Sequence, residues 1–369
     1  MSAKHITILI KPASSACNLK CRYCFYNDVS SLREVKSFGL MTKETAHNLI
    51  DKALDFADGG SVNFAFQGGE PTICPLDFFK DFVEYCKSAN KKNSRVSYSL
   101  QTNGTLLTDK IAAFYADNDF LVGVSIDGKA ELHNANRLTA SGKGSFNKVM
   151  QGVDLLKKHN VKFNALIVAN KLSAKRGRET YRFFKSQGIN YMQFIDCLEP
   201  FDVEPFTSGF SMDNDDYFNY YKAIFDEYVK DLTNGENVYV RSFENIFALM
   251  SGGKPEVCGM KGYCTVNLVV EGNGNCYPCD FYCEDEYLLG NINENNLEEL
   301  AVSENASKFV KESLKVEDKC RSCDVAGLCF GGCRRERDVH GEITLNRYCE
   351  GKQKLLRYML EKVRELKAR

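Results

Sequence analysis

Sixteen cysteines stand among 369 residues, and their spacing is the first feature that could do chemistry. Cys17, Cys21 and Cys24 form a C-x3-C-x2-C loop just after an N-terminal apolar run, Ile6–Ile10. Three thiolates on one loop can hold a cubic iron–sulfur cluster, but they leave one iron without a protein ligand, whereas most electron-transfer clusters take four cysteines. An open iron can bind a substrate or cofactor, as a catalytic zinc keeps an open position. The alternative is a zinc knuckle completed from elsewhere, which usually brings a second cysteine pair or histidines at fixed offsets. His5, His47, His133, His159 and His340 are scattered and offer no such pair.

A second group runs Cys320-x2-Cys323-x5-Cys329-x3-Cys333, followed by Cys349; a third is Cys258-x5-Cys264 with the distant Cys279. Together they supply eight thiols, enough for two four-thiolate sites. Tetrahedral sulfur suits zinc or iron–sulfur alike, so spacing alone leaves the metal open. The other five, Cys74, Cys86, Cys197, Cys276 and Cys283, carry the default expectation of small buried hydrophobes. Cys276 and Cys283 flank Cys279, and Cys276 could replace it as a ligand.

Composition narrows the setting. Basic and acidic residues number 48 and 49, for a net charge of −1, which argues against nucleic-acid or membrane-surface binding, since both need a basic excess. Residues Met1–Pro12 read as a first strand and carry no small-residue cleavage site. No apolar stretch reaches the roughly 18 residues of a membrane span. The expected location is the cytoplasm, where thiols stay reduced and cysteines serve metals or catalysis more often than disulfides.

The elements that must position these groups alternate. Strands are expected at Thr7–Ile10, Val62–Phe66, Val96–Leu100, Leu121–Ile126, Phe163–Val168 and Tyr191–Ile195. Helices are expected near 42–58, 76–89, 108–117, 145–159 and 175–187, the first with Thr42 as N-cap and Gly59-Gly60 as its stop. Such alternation means βαβ units and a parallel sheet, with chemistry at the C-terminal strand ends. The glycine-bearing and polar segments fall there: Cys17–Cys24, Gln67–Pro71, Gln101–Gly104, Ser125–Gly128 and Asp196-Cys197. The expectation is an α/β fold, a partial (β/α)6 barrel with a C-terminal cysteine-rich extension; an open doubly wound sheet is the alternative. Beyond Pro200 the alternation lapses into an acidic, aromatic helix (212–232), a Gly252–Pro255 linker and the cysteine-rich stretch. The domain division is 1–235 for the barrel, 236–351 for the cluster domain and 352–369 for a basic amphipathic C-terminal helix.

The Cys17–Cys24 loop resembles that of the radical S-adenosylmethionine superfamily. This resemblance implies an open iron that chelates S-adenosylmethionine and yields a 5′-deoxyadenosyl radical, with Gly68-Gly69-Glu70-Pro71 as the glycine-rich element for the methionyl amino group. The region from Cys258 onward resembles the SPASM extension, which implies two auxiliary 4Fe–4S clusters and three clusters in all. By that resemblance Cys258, Cys264, Cys279 and Cys333 hold the first auxiliary cluster, and Cys320, Cys323, Cys329 and Cys349 hold the second. Cys21–Tyr26, Phe66–Thr72, Leu100–Thr105, Leu121–Gly128, Tyr277–Tyr282 and Gly331–Arg335 are similar to segments of anaerobic sulfatase-maturating enzymes. That family implies oxidation of a Cys or Ser in a sulfatase's C/S-x-P-x-R segment to Cα-formylglycine, starting with loss of a Cβ hydrogen. It also implies Asp280 as the base, S-adenosylmethionine contacts at Tyr23, Gly69, Ser125, Arg137 and Leu198, and an external one-electron reductant of the flavodoxin or ferredoxin type. The rival is a SPASM enzyme that forms thioether or carbon–carbon crosslinks in a ribosomal peptide.

Overall fold

The computed structural model describes residues 4–201, 203–204, 206–339 and 342–368. Met1, Ser2, Ala3 and His340 lie outside the described residues. Six long strands appear where the periodicity put them: β1 (His5–Ile10), β2 (Ser61–Phe66), β3 (Arg95–Thr102), β4 (Leu121–Ser125), β5 (Lys162–Ala169) and β6 (Tyr191–Asp196). The helices include α1 (Phe25–Ser31), α2 (Lys43–Ala57), α3 (Leu76–Ala89), α4 (Asp109–Asp117), α5 (Phe146–Lys158), α6 (Gly177–Ser186), α7 (Asn214–Thr233), α8 (Arg241–Met250) and α9 (Cys349–Lys367). Spatial contacts divide the chain into two compact units, one of residues 1–125, 136–163 and 266–309, the other of 126–135, 164–265 and 310–369. The expected domain boundaries followed motifs along the chain, whereas these units follow packing.

In the first unit β1, β2, β3 and β4 are neighbours, all parallel, with His5 opposite Ser61, Ser61 opposite Arg95 and Ser99 opposite Leu121. Alternate residues of these strands point into the core: Ile8, Ile10, Phe64, Phe66, Val122 and Val124 are at most 1% exposed. Phe82 of α3 meets Phe64 and Phe66 edge-on at 5.0 Å. α2 starts where its cap predicts, Thr42 accepting the Thr45 N–H. Its stop comes one residue before the glycines, where Asp58 takes the left-handed conformation at φ 46°. On the outer side of β1 the sheet continues with Val269–Val270, parallel, and then Asn275–Tyr277 and Gly290–Asn291, antiparallel.

The second unit holds β5 and β6, parallel with Ala165 opposite Met192, and the short strand Tyr239–Val240. α9 begins at Cys349, earlier than expected, and buries Leu355, Leu356 and Met359. It is fixed to α7 by Gly351 N–H on Asn214 Oδ1 at 2.9 Å and by Tyr358 Oη on Asp226 Oδ1 at 2.6 Å. Among the described residues no helix is long and apolar enough to cross a membrane.

Candidate active site

Because β1 to β4 run parallel, their C-terminal ends share one edge of the first unit, and polar residues collect there. The Cys17–Cys24 loop leaves β1 and is held from two directions. Its short strand Leu19–Cys21 pairs antiparallel with Arg137–Thr139, placing Cys21 opposite Arg137. The Arg137 guanidinium, 7% exposed, lies 5.5 Å from the centre of the Tyr23 ring. Two of the expected cofactor contacts, Tyr23 and Arg137, are thus brought together beside the three-cysteine loop. From the other direction, Asn103 after β3 donates Nδ2 to Asn18 Oδ1 at 2.9 Å and reaches Cys17 Sγ at 3.9 Å.

The Gly-Gly-Glu-Pro segment after β2 is stitched to the same loop. Gly69 N–H donates to Ser14 O and Glu70 N–H to Ala16 O, both at 2.8 Å. A side chain on Gly69 would overlap the Ala16 carbonyl, so only glycine permits this approach. Glu70, 1% exposed, accepts the Thr72 N–H at 3.1 Å, the Thr102 hydroxyl at 2.7 Å and the Asn103 N–H at 2.7 Å. Its carboxylate therefore joins the end of β2 to the end of β3. Ser125 closes β4 and is 8% exposed. The remaining expected cofactor contact, Leu198, is partly exposed just past β6 in the second unit.

Asp280 sits in a single turn of 3-10 helix, Asp280–Tyr282, directly after Cys279. Its carboxylate is gripped at both oxygens: Oδ1 pairs with the Lys11 ammonium and Oδ2 accepts from Gln67 Nε2. Lys11 is fully buried, with Nζ 3.3 Å from the centre of the Tyr26 ring. Burial alone would lower the Lys11 ammonium's pKa, but the neighbouring Asp280, Cys283 and Glu271 raise it above its ordinary value. The Tyr26 hydroxyl donates to Glu271, which also takes Arg33 Nη1 at 2.7 Å. Tyr26 and Gln67 lie inside the sequence motifs but carry no role that spacing assigns, and nothing in the sequence marks Arg33 or Glu271. A lone lysine closing an apolar strand was the one available signal for Lys11.

The cysteines separate by burial as their spacing suggested. Cys74, Cys86, Cys197, Cys276 and Cys283 are buried, whereas the eleven proposed ligands are partly or fully exposed. Cys276, expected as a possible substitute for Cys279, lies in a strand at 0% exposure, points its thiol at Gly274 O at 3.4 Å, and has its pKa pushed up to about 12 by burial. In the second unit, Cys320, Cys323, Cys329 and Cys349 line one cavity of about 360 Å³, together with Gln353. Gln353 Nε2 donates to Cys349 Sγ at 3.3 Å. These four thiols are the set implied for the second auxiliary cluster, and all four line this cavity. Cys258 opens a short turn whose Gly259 abuts the Cys333 backbone, and Cys264 N–H is held by Ser313 Oγ at 2.9 Å. Burial, Glu336 and the nearby Cys258 and Cys264 push the Cys333 thiol up to about 12. The fourth ligand implied for that set, Cys279, belongs to the first unit.

Comparison with known proteins gives these arrangements a family. Residues 12–184 match the radical SAM superfamily, and residues 258–324 match the SPASM iron–sulfur cluster-binding domain. Cys329, Cys333 and Cys349 fall beyond the second match. A cysteine-type anaerobic sulfatase-maturating enzyme of Clostridium perfringens strain 13 is 42% identical over 355 residues, covering 96% of each chain. The chain belongs to the anaerobic sulfatase-maturating enzyme family. It is a radical SAM enzyme with the α/β fold and parallel sheet of that superfamily, a SPASM domain, S-adenosylmethionine and iron–sulfur clusters as its cofactors. A serine-type member of the family from Bacteroides thetaiotaomicron is 35% identical, covering 95% of this chain and 88% of that one. The solved structure of anSMEcpe with bound AdoMet and Cp18Cys peptide superposes with a TM-score of 0.93 at 39% identity, covering 98% of this chain and 99% of that chain. Streptococcus suis SuiB bound to its precursor peptide shares the fold, with a TM-score of 0.64 at 16% identity.

Proposed function

We infer that this sulfatase-maturating family member oxidises a cysteine within a C-x-P-x-R segment of a sulfatase polypeptide to Cα-formylglycine, without oxygen. The observation that carries the reading is near full-length identity of 41–42% to cysteine-type enzymes, against 29–35% to the serine-type ones. When bound, S-adenosylmethionine and three 4Fe–4S clusters supply the reducing electron, the hydrogen-abstracting 5′-deoxyadenosyl radical and an acceptor for the substrate's electron. Cys17, Cys21 and Cys24 hold the first cluster; Cys258, Cys264, Cys279 and Cys333 hold the second; Cys320, Cys323, Cys329 and Cys349 hold the third. Tyr23, Gly69, Ser125, Arg137 and Leu198 contact the S-adenosylmethionine.

The protein's own chemistry is proton transfer. Loss of one hydrogen atom leaves a radical at Cβ of the substrate cysteine. Asp280 then accepts the thiol proton as one electron departs, and a Cβ=S double bond forms. Water adds to that carbon and hydrogen sulfide leaves, giving the aldehyde. With serine, loss of the hydroxyl proton and the electron gives the aldehyde directly. A base must lie within hydrogen-bond reach of the proton it takes, and Asp280, about one-sixth exposed with a side-chain accessibility of 16%, is open enough to meet a substrate. A flavodoxin- or ferredoxin-type carrier feeds the electrons, and the cytoplasm, which keeps thiols reduced, is the compartment that suits sixteen unbridged cysteines.

The test is anaerobic incubation of the reduced holoenzyme with S-adenosylmethionine and short C-x-P-x-R or S-x-P-x-R peptides, followed by mass measurement. Formylglycine from the cysteine peptide at the higher rate is the expected result. Turnover of S-adenosylmethionine with neither peptide converted would overturn the reading.

A further inference from the structure

Asp280 hangs from a three-residue turn, a support too short to fix where its carboxylate points. What fixes it comes from elsewhere in the chain. Lys11 follows β1 and Gln67 follows β2, and those strands are in register, with Ile10 opposite Phe66 and Gln67 N–H bonded to Ile10 O at 2.9 Å. The two side chains therefore rise side by side from adjacent ends of a sheet. Each takes one oxygen of Asp280, Lys11 at Oδ1 and Gln67 at Oδ2.

Lys11 is itself tightly held. Its N–H donates to Val270 O at 2.8 Å and its carbonyl accepts from Ser14 N–H at 3.0 Å. Its stem runs over Gly68, where an added Cβ would sit 3.0 Å from Lys11 Cβ and Cγ. Gly68 adopts φ 121°, a conformation that favours glycine. The ammonium then rests on the Tyr26 ring at 3.3 Å. A fully buried lysine is rare unless it is paired, and this one is paired with the Asp280 carboxylate. The surrounding charges balance, with Lys11 and Arg33 against Asp280 and Glu271.

We propose that Lys11 is the positioning residue of the oxidation: its buried ammonium, together with Gln67, aims the Asp280 carboxylate at the substrate's thiol. The proposal rests on the reading of Asp280 as the base. Its consequence is coupling. Hydrogen-atom abstraction does not involve Lys11, whereas the proton transfer that follows depends on the direction of the carboxylate. A misaimed base leaves the carbon radical waiting, so deoxyadenosine accumulates without formylglycine.

The experiment compares Lys11→Met, Lys11→Arg and Asp280→Asn as anaerobically reconstituted holoenzymes matched for iron content, measuring deoxyadenosine, formylglycine, kcat and KM with a C-x-P-x-R peptide. Misplacing a catalytic group by about 1 Å can cost ~10²-fold, and Lys11→Met is expected to lower the kcat for formylglycine by about that factor. KM should stay within about twofold, deoxyadenosine should exceed product several-fold, and Lys11→Arg, which keeps a cation beside Asp280, should be better coupled than Lys11→Met. A Lys11→Met enzyme that makes formylglycine and deoxyadenosine in the same ratio as the wild type measured alongside it overturns the proposal even when Asp280→Asn is uncoupled. An Asp280→Asn enzyme that is fully coupled overturns the base reading itself. Should Lys11→Met fail to take up its clusters, Lys11→Gln, which keeps a donor at that depth without the charge, is read in the same way.

Discussion

Gly69 shows how little room a motif residue can have. Its backbone is held against Ser14 and Ala16, and a methyl group there would displace the segment that leads into Cys17. Gly69→Ala should therefore disturb the three-cysteine loop before any ligand is considered. The expected outcome is loss of one cluster's share of iron and of S-adenosylmethionine cleavage, with the SPASM clusters retained. Iron analysis and deoxyadenosine assays check it, and full iron with full cleavage would contradict the packing argument. The Gly-Gly-Glu-Pro segment was legible from sequence because its residue types fell at a strand end. Its local reason was not. The resemblance gives the segment a role toward the cofactor, whereas the close approach seen at Gly69 is to the chain's own backbone at Ala16, a partner that no spacing rule encodes. Lys11 was illegible for a related reason: one buried lysine after an apolar strand has no periodicity, and its partner Asp280 is remote in sequence.

At the scale of elements, the strands and helices that alternate were readable within one or two residues, because burial on one face imposes a period. The strands Val269–Val270 and Asn275–Tyr277 and the helix α8 were not. Two or three residues are too few to show alternation, yet the first two carry the chain from β1 toward Cys279. A second product of element packing is the buried cluster at the end of β6. There Asp196 accepts from Tyr221 Oη at 2.5 Å, while Lys352 of α9 pairs with Glu336 at 2.5 Å and lies 3.8 Å from Asp196. Burial, with Glu336 adding to it, pushes the Asp196 carboxyl up to about 7 against the opposing pull of the Lys352 ammonium. A carboxyl that ordinarily ionises near 3.8 thus holds its proton more tightly in the folded chain, so its contribution to stability is full below that value and is lost as pH rises to about 7. Asp196→Asn should gain on the wild type as pH rises from about 4 to about 7, by at most about 1 kcal/mol per pH unit, and gain little further above. Denaturant titrations of both holoenzymes across that range measure the gap, and a gap that stays constant would contradict the assignment.

Over the whole molecule, burial sorts sixteen cysteines into five in the core and eleven within reach of solvent or a cavity. The sequence reading expected eleven ligands and five small buried hydrophobes, with Cys276 the one ambiguous member of the five. Spacing left Cys276 and Cys279 as competitors three residues apart, and the fold separates them: Cys276 is buried at 0% exposure, whereas Cys279 is partly exposed. Cys276→Ala should accordingly keep its full iron content and activity, and Cys279→Ala should lose an auxiliary cluster and product formation. Iron content unchanged in the second variant and reduced in the first would exchange their roles. The central claim, that this chain oxidises Cβ of a cysteine through its own base at Asp280, is tested most directly with a C-x-P-x-R peptide deuterated at Cβ of the cysteine. Mass measurement after anaerobic turnover should find one deuterium in each deoxyadenosine and one formylglycine per deoxyadenosine in the wild type, with labelled deoxyadenosine but little formylglycine in Asp280→Asn. Unlabelled deoxyadenosine, or a product crosslinked in place of the aldehyde, would contradict the account.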